Sequence, residues 1–365
     1  METKSKVNTL TALARIGQSP WYDNIDRRFV KNGKLKELFD SGILGVTSNP
    51  TIFEKAVSAS DIYDPQIKEL SLEGKKPLEI YDILTTEDVA AAADLLIGTY
   101  EKTNHVDGYV SIEVWPEFAH DAKKTVEYAR RIFKTLNRPN IMIKVPGTTE
   151  GREAIRVLIK EGINVNATLL FSVGHYEKIA NAYTGGIKDR LKEKKDVKNI
   201  ISVASVFVSR IDSRIDKILD EKENLELKGK IAVSYMKMIY QKFKEIFESS
   251  DFKGLKSKGA NAQRVLWAST STKNPSYRDV MYVEDLIGPN TINTMPPKTV
   301  DAFLRHGKVE LTIEKDMDKA RSNLAKIKSL GINIDSLCQE IQDAGVGSFQ
   351  TSFDKLICAI AKKQK

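Results

Sequence analysis

Short apolar segments alternate with longer amphipathic segments along most of this chain, and this alternation limits the folds that it can adopt. Several of the short segments are rich in Val and Ile and bounded by Gly, Pro or Asn, which is typical of buried parallel strands. Eight strands are predicted, over residues 21–25, 43–50, 109–114, 140–145, 164–172, 200–208, 264–270 and 280–287. Because helical segments lie between them, the sequence favours an α/β protein built as a (β/α)8 TIM barrel.

The segments between the strands show helical periodicity. One predicted helix, over residues 85–103, begins at Thr85 and has Asp88 three residues later, in a pattern close to a capping box. Another is predicted to end at Gly162, a residue type favoured just after a helix. The remaining predicted helices cover residues 120–136, 150–161, 210–221, 227–248 and 315–330.

An open, doubly wound sheet is the alternative architecture for such a pattern. The phosphate-binding motifs GxGxxG and GxxxxGK[ST] are both absent, and the Gly185-Gly186 pair follows no predicted strand. After Pro297 only helical patterns remain, and no linker or low-complexity segment interrupts the chain. We therefore expect one domain over residues 1–365, with the barrel at about 15–300 and a C-terminal helical extension at about 301–365 packed on it.

The composition restricts the class of protein. Apolar residues make up 41% and charged residues 29%, as in soluble globular proteins. No apolar run approaches the ~20 residues of a membrane span, and the N-terminus lacks the apolar core of a signal peptide. We therefore expect a cytoplasmic protein without a membrane partner, as a monomer or homodimer.

Cysteine and histidine are too sparse to suggest a metal site. The two cysteines, Cys338 and Cys358, both fall in the C-terminal helical region and are predicted to be free thiols. The four histidines have no metal-ligand spacing. The net charge of +8 comes from lysines mixed with acidic residues and not interleaved with aromatic ones, which favours a small anionic substrate such as a sugar phosphate over nucleic acid.

Polar residues recur on one face of five predicted strands, near their carboxyl ends. Since side chains alternate along a strand, residues two apart share a face. A single strand Thr or Asn is more often a hydrogen-bonded core group, but the repetition favours a polar barrel interior near the mouth, where active sites of this fold lie. The residues that share such a face are Thr47 with Asn49, Ser111 with Glu113, Met142 with Lys144, Asn164 with Asn166 and Thr168, and Ser205 with Phe207.

Lys144 is the most unusual of these residues because it sits inside the apolar run IMIKV. Lysine is rarely fully buried unless it is paired or functional. Burial favours the neutral amine, a nucleophile toward carbonyl carbon of the kind that Schiff-base chemistry needs. Glu113 and Asp23 could transfer protons. The alternative is a buried Lys144–Glu113 ion pair without chemistry, and residue types alone leave both open.

Seven blocks of sequence, in order through residue 296, resemble the transaldolase family. The last two are similar to its long bacterial-type branch, and the C-terminal AGVGSFQTSFDKL also fits the family. The seven blocks are GVTSNPTIFEKA (45–56), VSIEV (110–114), IMIKVPGT (141–148), GINVNATLLFS (162–172), SVFVSRIDSRID (205–216), WASTSTKNP (267–275) and PNTINTMP (289–296).

The resemblance implies an enzyme that transfers a dihydroxyacetone unit between sugar phosphates in the pentose phosphate pathway. The donors would be fructose 6-phosphate or sedoheptulose 7-phosphate, and the acceptors erythrose 4-phosphate or glyceraldehyde 3-phosphate. No metal or organic cofactor is implied. Lys144 would form the Schiff base, Asp23 would take the C4 hydroxyl proton, and Glu113 would shuttle protons through a water that Thr168 also holds.

The resemblance also implies substrate-binding residues. Asn49, Asn166 and Ser205 would bind the dihydroxyacetone hydroxyls. Arg210 would bind phosphate; its alternative is a salt bridge within RIDSRID. Ser271 and Lys273 stand where the short branch has a second phosphate arginine, although Lys273 could instead be a surface lysine before Pro275.

The nearest competing function is that of an aldolase of the same Schiff-base family, which releases dihydroxyacetone to water. Such relatives typically carry Gln at the Glu113 position and Tyr at the Phe207 position. Glu113 and Phe207 therefore favour transfer. A barrel that only binds a sugar phosphate or a partner protein is less consistent with the complete set of catalytic residue types.

Overall fold

The computed structural model describes residues 8–364, and within that range eight parallel strands close into a barrel in chain order. The (β/α)8 fold predicted from the alternation is confirmed. The first and last strands close the barrel by pairing Gln18 through Tyr22 with Thr291 through Met295. The strands are β1 (Gln18–Tyr22), β2 (Val46–Thr47), β3 (Val110–Glu113), β4 (Ile141–Pro146), β5 (Val165–Leu170), β6 (Ser202–Phe207), β7 (Arg264–Ala268) and β8 (Thr291–Met295).

The strand predicted over residues 280–287 is wrong. That segment contains the short helix Met281–Glu284, and the eighth strand is Thr291–Met295. A short apolar run cannot be assigned to strand or helix by periodicity alone. The true strand is less apolar because it contains the polar residues Thr291 and Asn293. Both are buried and bind partners on other segments: Thr291 Oγ1 accepts from Gln18 Nε2 and Asn293 Oδ1 accepts from Thr270 Oγ1, both at 2.9 Å.

Helices surround the barrel and follow the strands. None of those in residues 8–364 has the length and apolar character needed to cross a lipid bilayer. In chain order they are α1 (Thr9–Arg15), α2 (Arg27–Lys31), α3 (Lys34–Asp40), α4 (Pro50–Ser58), α5 (Asp64–Leu72), α6 (Pro77–Lys102), α7 (Ala122–Leu136), α8 (Thr149–Glu161), α9 (Val173–Lys192), α10 (Ser209–Glu221), α11 (Ile231–Phe247), α12 (Ser250–Lys256), α13 (Met281–Glu284), α14 (Pro297–His306), α15 (Met317–Ser329) and α16 (Ile334–Lys363).

The helix predicted to begin at Thr85 begins earlier, at Pro77. Proline is favoured in the first turn of a helix because its missing N–H needs no partner there. Thr85 lies inside α6, where its hydroxyl donates to the Tyr81 carbonyl one turn back at 2.8 Å. Asp88 is not part of a cap but pairs with Arg27 at 2.6 Å. Gly162 does end α8 as predicted, with a left-handed φ of +93°.

The amino-terminal end of the barrel is filled by a buried polar cluster. Arg264, at the start of β7, pairs with Asp107, just before β3, at 3.0 Å. Ser19 and Trp21 of β1 donate to the same carboxylate at 2.7 and 2.9 Å. A buried ion pair is stable where its remaining hydrogen-bonding positions are satisfied, as they are here. We refer to these four residues as the bottom cluster.

The C-terminal helix α16 crosses the opposite, carboxyl end of the barrel. Its Gln342 Nε2 donates to the Leu169 carbonyl of β5 at 2.8 Å. Further along, Ser352 accepts a hydrogen bond from Thr51 of α4 at 2.8 Å. The helix therefore spans the mouth of the barrel from β5 to α4.

Both cysteines are free thiols, Cys338 buried and Cys358 exposed. No group of His, Cys, Asp and Glu in residues 8–364 is arranged to hold a metal ion. The N-terminal segment from which we expect no signal peptide includes residues 1–7, which lie outside the described residues, as does Lys365. The domain limits of 1–365 stay a prediction.

Candidate active site

A cavity of about 670 Å³ lies at the carboxyl ends of the strands. Residues at the ends of six strands and Phe349 of α16 line it. The predicted site residues on its wall are Asp23, Asn49, Lys144, Ser205, Phe207, Arg210, Ser271 and Lys273. Three other predicted residues are buried in β3 and β5 and do not line it: Glu113, Asn166 and Thr168.

Lys144 lies in β4, in register with Glu113 of β3 and Asn166 of β5. The alternation along β4 turns its side chain into the barrel, as the sequence predicts. Its Nζ lies 3.2 Å from Glu113 Oε2 and donates to the Ser48 carbonyl at 3.2 Å. An ammonium or amine has more hydrogen-bonding positions than these two contacts use, so the group can also meet a ligand in the cavity.

Glu113 is buried beside Lys144. Burial raises the pKa of its carboxyl, and the charge of Lys144 opposes this rise. Its Oε2 makes no well-aligned hydrogen bond to a described residue, despite its distance of 3.2 Å from the lysine nitrogen. Thr168 Oγ1 is the other buried oxygen of the predicted site without a partner in residues 8–364. Since an unpaired buried polar group costs about 1–3 kcal/mol, both atoms are suited to bind a further polar group.

Asp23 follows β1, and its backbone N–H donates to the Met295 carbonyl at 2.9 Å. Its Oδ1 accepts from Thr47 Oγ1 at 2.7 Å, and Thr47 Oγ1 lies 2.7 Å from Thr294 Oγ1. Burial raises the pKa of Asp23, while Lys144, the hydrogen bond from Thr47 and Lys273 oppose the rise. A carboxyl with a raised pKa is better matched to proton transfer near neutral pH.

Asn166 is fully buried behind Ser205. The Ser205 hydroxyl donates to Asn166 Oδ1 at 2.6 Å, and Asn166 Nδ2 donates to Ser111 Oγ at 3.0 Å. The structure therefore places Ser205, and not Asn166, on the cavity wall. Asn49 does reach the wall: its Oδ1 caps α4 by accepting from the Ile52 N–H at 3.0 Å, which leaves its Nδ2 without an intramolecular partner within the described chain.

Arg210 lies in the first turn of α10 with its guanidinium over two aromatic rings. Its Cζ is 5.2 Å from the ring centroid of Phe207 and 5.8 Å from that of Phe349. Burial lowers the pKa of Arg210, and Glu113 opposes this. Among residues 8–364 Arg210 forms no ion pair, because the acidic side chains of α10 turn elsewhere: Asp212 binds Tyr282 and Asp216 binds Tyr277. The alternative of a salt bridge within RIDSRID does not describe this residue.

Lys273 lies on the loop after β7, and its Nζ donates to Ser271 Oγ at 2.7 Å. Although exposed at the cavity entrance, it lines the cavity together with Ser271. Partial burial of the amine at the cavity entrance lowers the pKa of Lys273, and the nearby charges of Arg210 and Lys55 lower it further. Cations that lie close enough to depress one another form a suitable site for an anion.

Sequence reasoning missed several side chains on the cavity wall. Phe349 lies in the C-terminal segment AGVGSFQTSFDKL, and no sequence pattern indicates which part of the barrel that helix covers. Thr294 was missed because its strand was assigned elsewhere. Lys55 falls within the block GVTSNPTIFEKA and lies three residues after Ile52, on the face of α4 that carries Ile52 and Ala56 to the cavity. The other missed residues with charged side chains are Asp26, Arg28 and Lys298.

Comparison with known proteins shows similarity to one family over nearly the whole chain. The family model described as "Transaldolase/Fructose-6-phosphate aldolase" matches residues 20–360. A transaldolase of Trichodesmium erythraeum is 44% identical over 372 residues, covering 98% of this chain and 98% of that protein. "Transaldolase 2" of Nostoc punctiforme is 43% identical over 373 residues with the same coverage. A transaldolase of Neisseria gonorrhoeae is 40% identical over 351 residues, covering 96% of this chain and 99% of its own.

Proposed function

This chain belongs to the transaldolase/fructose-6-phosphate aldolase family, and on that basis we propose that it transfers a dihydroxyacetone unit through a Schiff base on Lys144. The donors proposed are fructose 6-phosphate and sedoheptulose 7-phosphate, and the acceptors erythrose 4-phosphate and glyceraldehyde 3-phosphate, as in the non-oxidative pentose phosphate pathway. The observation that carries the proposal is the Lys144 amine at the cavity wall, 3.2 Å from Glu113 and in the same cavity as Asp23.

In the first step, Lys144 Nζ attacks the C2 carbonyl carbon of the ketose. The attacking amine loses a proton, and the C2 oxygen must gain protons to leave as water. Glu113 is close enough to exchange protons with Nζ directly, and its raised pKa supports both accepting and returning a proton. Glu113 Oε2 and the Thr168 hydroxyl, which have no hydrogen-bond partner among residues 8–364, support a role in holding the water that takes part.

In the second step, the C3–C4 bond breaks. Asp23 takes the proton of the C4 hydroxyl, the C3–C4 electron pair moves into the protonated imine to form an enamine, and the aldose product leaves. The hydrogen bond from Thr47 fixes the Asp23 carboxylate at the mouth. The enamine C3 then attacks the aldehyde carbon of the acceptor, whose oxygen takes a proton from Asp23. The protonated imine accepts the electron pair of the broken bond, so the mechanism calls for no metal or organic cofactor.

Substrate binding is divided between two groups of residues. Asn49 and Ser205 are proposed to bind the hydroxyls of the dihydroxyacetone unit, and Asn166 to hold Ser205 in place through the 2.6 Å hydrogen bond. Arg210, Lys273 and Ser271 are proposed to bind the phosphate. Arginine binds phosphate with two parallel hydrogen bonds, and Lys273 adds a point charge.

Reductive trapping tests the proposed nucleophile. Borohydride added with fructose 6-phosphate is expected to leave a stable three-carbon adduct on Lys144, located by mass spectrometry of peptides. The Lys144→Ala variant should lose the adduct and keep its circular dichroism spectrum. Asp23→Asn should instead retain a six-carbon phosphorylated adduct, since the imine forms but C3–C4 does not break. An adduct on another residue would refute the mechanism.

An aldolase that releases free dihydroxyacetone is the second candidate, because the family description includes fructose-6-phosphate aldolase. The presence of Glu113 and Phe207 favours transfer. The two functions separate in an assay of fructose 6-phosphate with and without erythrose 4-phosphate. Free dihydroxyacetone produced equally fast without the acceptor would show that the chain is an aldolase.

A further inference from the structure

Phe349 of α16 lies on the wall of the catalytic cavity, and the mechanism above assigns it no role. The side chain is 4% exposed. It comes from the C-terminal helix, far in sequence from the strands that carry the catalytic residues. A phenyl ring offers no hydrogen-bonding atom, so it excludes water from the surface that it covers.

The ring lies close to both the reacting nitrogen and the arginine proposed to bind phosphate. Its centroid is 5.7 Å from Lys144 Nζ and 5.8 Å from Arg210 Cζ. Both distances fall within the ~6 Å at which a cation is attracted to the face of an aromatic ring. Any intermediate joined to Lys144, with its phosphate near Arg210 before cleavage, therefore lies next to this ring.

Helix α16 is fixed closely enough to hold the ring in that position. One turn before Phe349, Gly345 packs so tightly that a Cβ there would lie 3.1 Å from Leu169 Cδ2 and 3.2 Å from Arg210 Nη1. Gln342 and Ser352 bond to β5 and α4 on either side of Phe349. The ring is thus held from both directions along the helix.

We propose that Phe349 is a specificity-determining residue that shields the Lys144-bound three-carbon intermediate from water, so that the intermediate reacts with an aldose acceptor. This inference rests on the proposed transaldolase function. The enamine has two fates. In transfer, C3 forms a bond to the aldehyde carbon. In release, C3 takes a proton from solvent, a water adds to C2 of the resulting protonated imine, and the N–C2 bond breaks with its electron pair on Nζ.

Release without an acceptor needs a solvent proton at C3 and a water molecule at C2, and both must reach the intermediate beside Phe349. The apolar ring limits this access, because it offers no hydrogen-bonding atom to a water molecule on the surface that it covers. An aldose acceptor binds in the same cavity, whose wall also carries the cationic side chains Lys55 and Lys298. Phe349 therefore affects the choice between the two fates more than the rate of imine formation.

The experiment compares Phe349→Leu with Phe353→Leu, a matched control on the same helix one turn later. Phe353 is 3% exposed and packs on Tyr81 and Trp115, with ring centroids 5.1 and 5.8 Å away, but it does not line the cavity. The measured quantity is the rate of dihydroxyacetone release from fructose 6-phosphate without acceptor, divided by the rate of transfer to erythrose 4-phosphate. Phe349→Leu is expected to raise this ratio about ten-fold, equivalent to about 1.4 kcal/mol, whereas Phe353→Leu leaves it unchanged.

Both substitutions remove a buried ring from α16, so both can lower the stability of the chain. The melting temperatures of the two variants show how much of any change in the ratio comes from lost stability and how much from access of water to the intermediate. If the wild type forms the adduct on Lys144 and the ratio is equal in Phe349→Leu, Phe353→Leu and the wild type, the role of Phe349 is refuted but the proposed function is not. A ratio that rises equally in both variants would also refute it, because the effect would then be a general loosening of the helix. A wild type that forms no borohydride adduct would refute both the proposed function and this inference.

Discussion

The Nζ atom of Lys144 lies 3.2 Å from Oε2 of Glu113, and the two side chains are 4% and 3% exposed. The free-energy cost of removing two opposite charges from water exceeds the attraction between them unless hydrogen bonds satisfy both groups. Among residues 8–364 this carboxylate oxygen has no well-aligned hydrogen bond. The pair is therefore weak evidence for stability, and its geometry supports the proton transfer proposed for Glu113.

Glu113→Gln is expected to slow formation of the borohydride-trapped adduct by about 10²-fold or more, because proton transfer by a positioned carboxylate contributes on this order. Single-turnover trapping with fructose 6-phosphate measures the effect. Glu54→Gln, on the outer surface of α4 beside Ser58, is the control. An adduct that forms at the wild-type rate in Glu113→Gln would exclude Glu113 from the proton transfers.

Arg210→Ala is expected to raise KM for phosphorylated sugars by about 10- to 100-fold, as the loss of charge-assisted hydrogen bonds of about 1.5–3 kcal/mol predicts. KM for an unphosphorylated ketose should change little. Arg214→Ala is a matched control one turn later on α10, where the arginine is exposed and lies 3.5 Å from Glu340. Parallel changes in KM for both classes of sugar would mean that Arg210 does not bind phosphate.

Gly345→Ala and Gly347→Ala are expected to differ in their effects on stability and on KM, although both glycines lie in α16. At Gly347 a Cβ meets nothing within 4 Å, so the variant should be more stable by about 0.5–1 kcal/mol, the difference in helix propensity. At Gly345 a Cβ would lie 3.1 Å from Leu169 Cδ2 and 3.2 Å from Arg210 Nη1, so these side chains must move by a few tenths of an ångström. Because the displaced group is the guanidinium of Arg210, KM for sugar phosphates should rise. Urea unfolding and steady-state kinetics measure the two quantities. A stabilised Gly345→Ala with unchanged KM would show that the close approach of α16 has no role in the site.

The pH dependence of stability should depend on Asp212 of α10. Burial raises the pKa of this carboxyl to about 7, although hydrogen bonds from the Ala232 N–H and Tyr282 oppose the rise. A carboxyl with a higher pKa in the folded chain binds protons more tightly there, so its stabilising contribution is complete below about pH 4 and is lost as the pH rises toward 7.

Asp212→Asn removes that titration. Between pH 4 and pH 8 its free energy of unfolding should improve relative to the wild type by up to about 4 kcal/mol, measured by urea unfolding at each pH. Asp220→Asn, which removes an exposed carboxylate from the same helix, is the control for the loss of a charge from α10. A pH-independent difference between Asp212→Asn and the wild type would contradict the raised pKa.

The sequence predicts those parts of the molecule that depend on local pattern. The alternation of residues predicts β4 and the inward direction of the Lys144 side chain, because the aliphatic residues on the other face of that strand must meet the helices. The same rule failed at β8, where Thr291 and Asn293 find partners in Gln18 and Thr270 that lie outside the segment.

Contacts that depend on the docking of distant elements could not be predicted. Phe349 reaches Lys144 only because α16 folds back across the mouth, more than 200 residues along the chain. Asn166 was correctly assigned to the inner face of β5, yet the Ser205 hydroxyl that separates it from the cavity depends on the register between β5 and β6.

The bottom cluster of Arg264, Asp107, Ser19 and Trp21 closes the amino-terminal end of the barrel. Sugars then enter and leave the cavity at the carboxyl end of the barrel, and because both aldoses would use this one cavity, the first must leave before the second binds. The proposed transfer should therefore follow a double-displacement order of binding and release. Double-reciprocal plots of initial rate against donor concentration, at several acceptor concentrations, should be parallel lines.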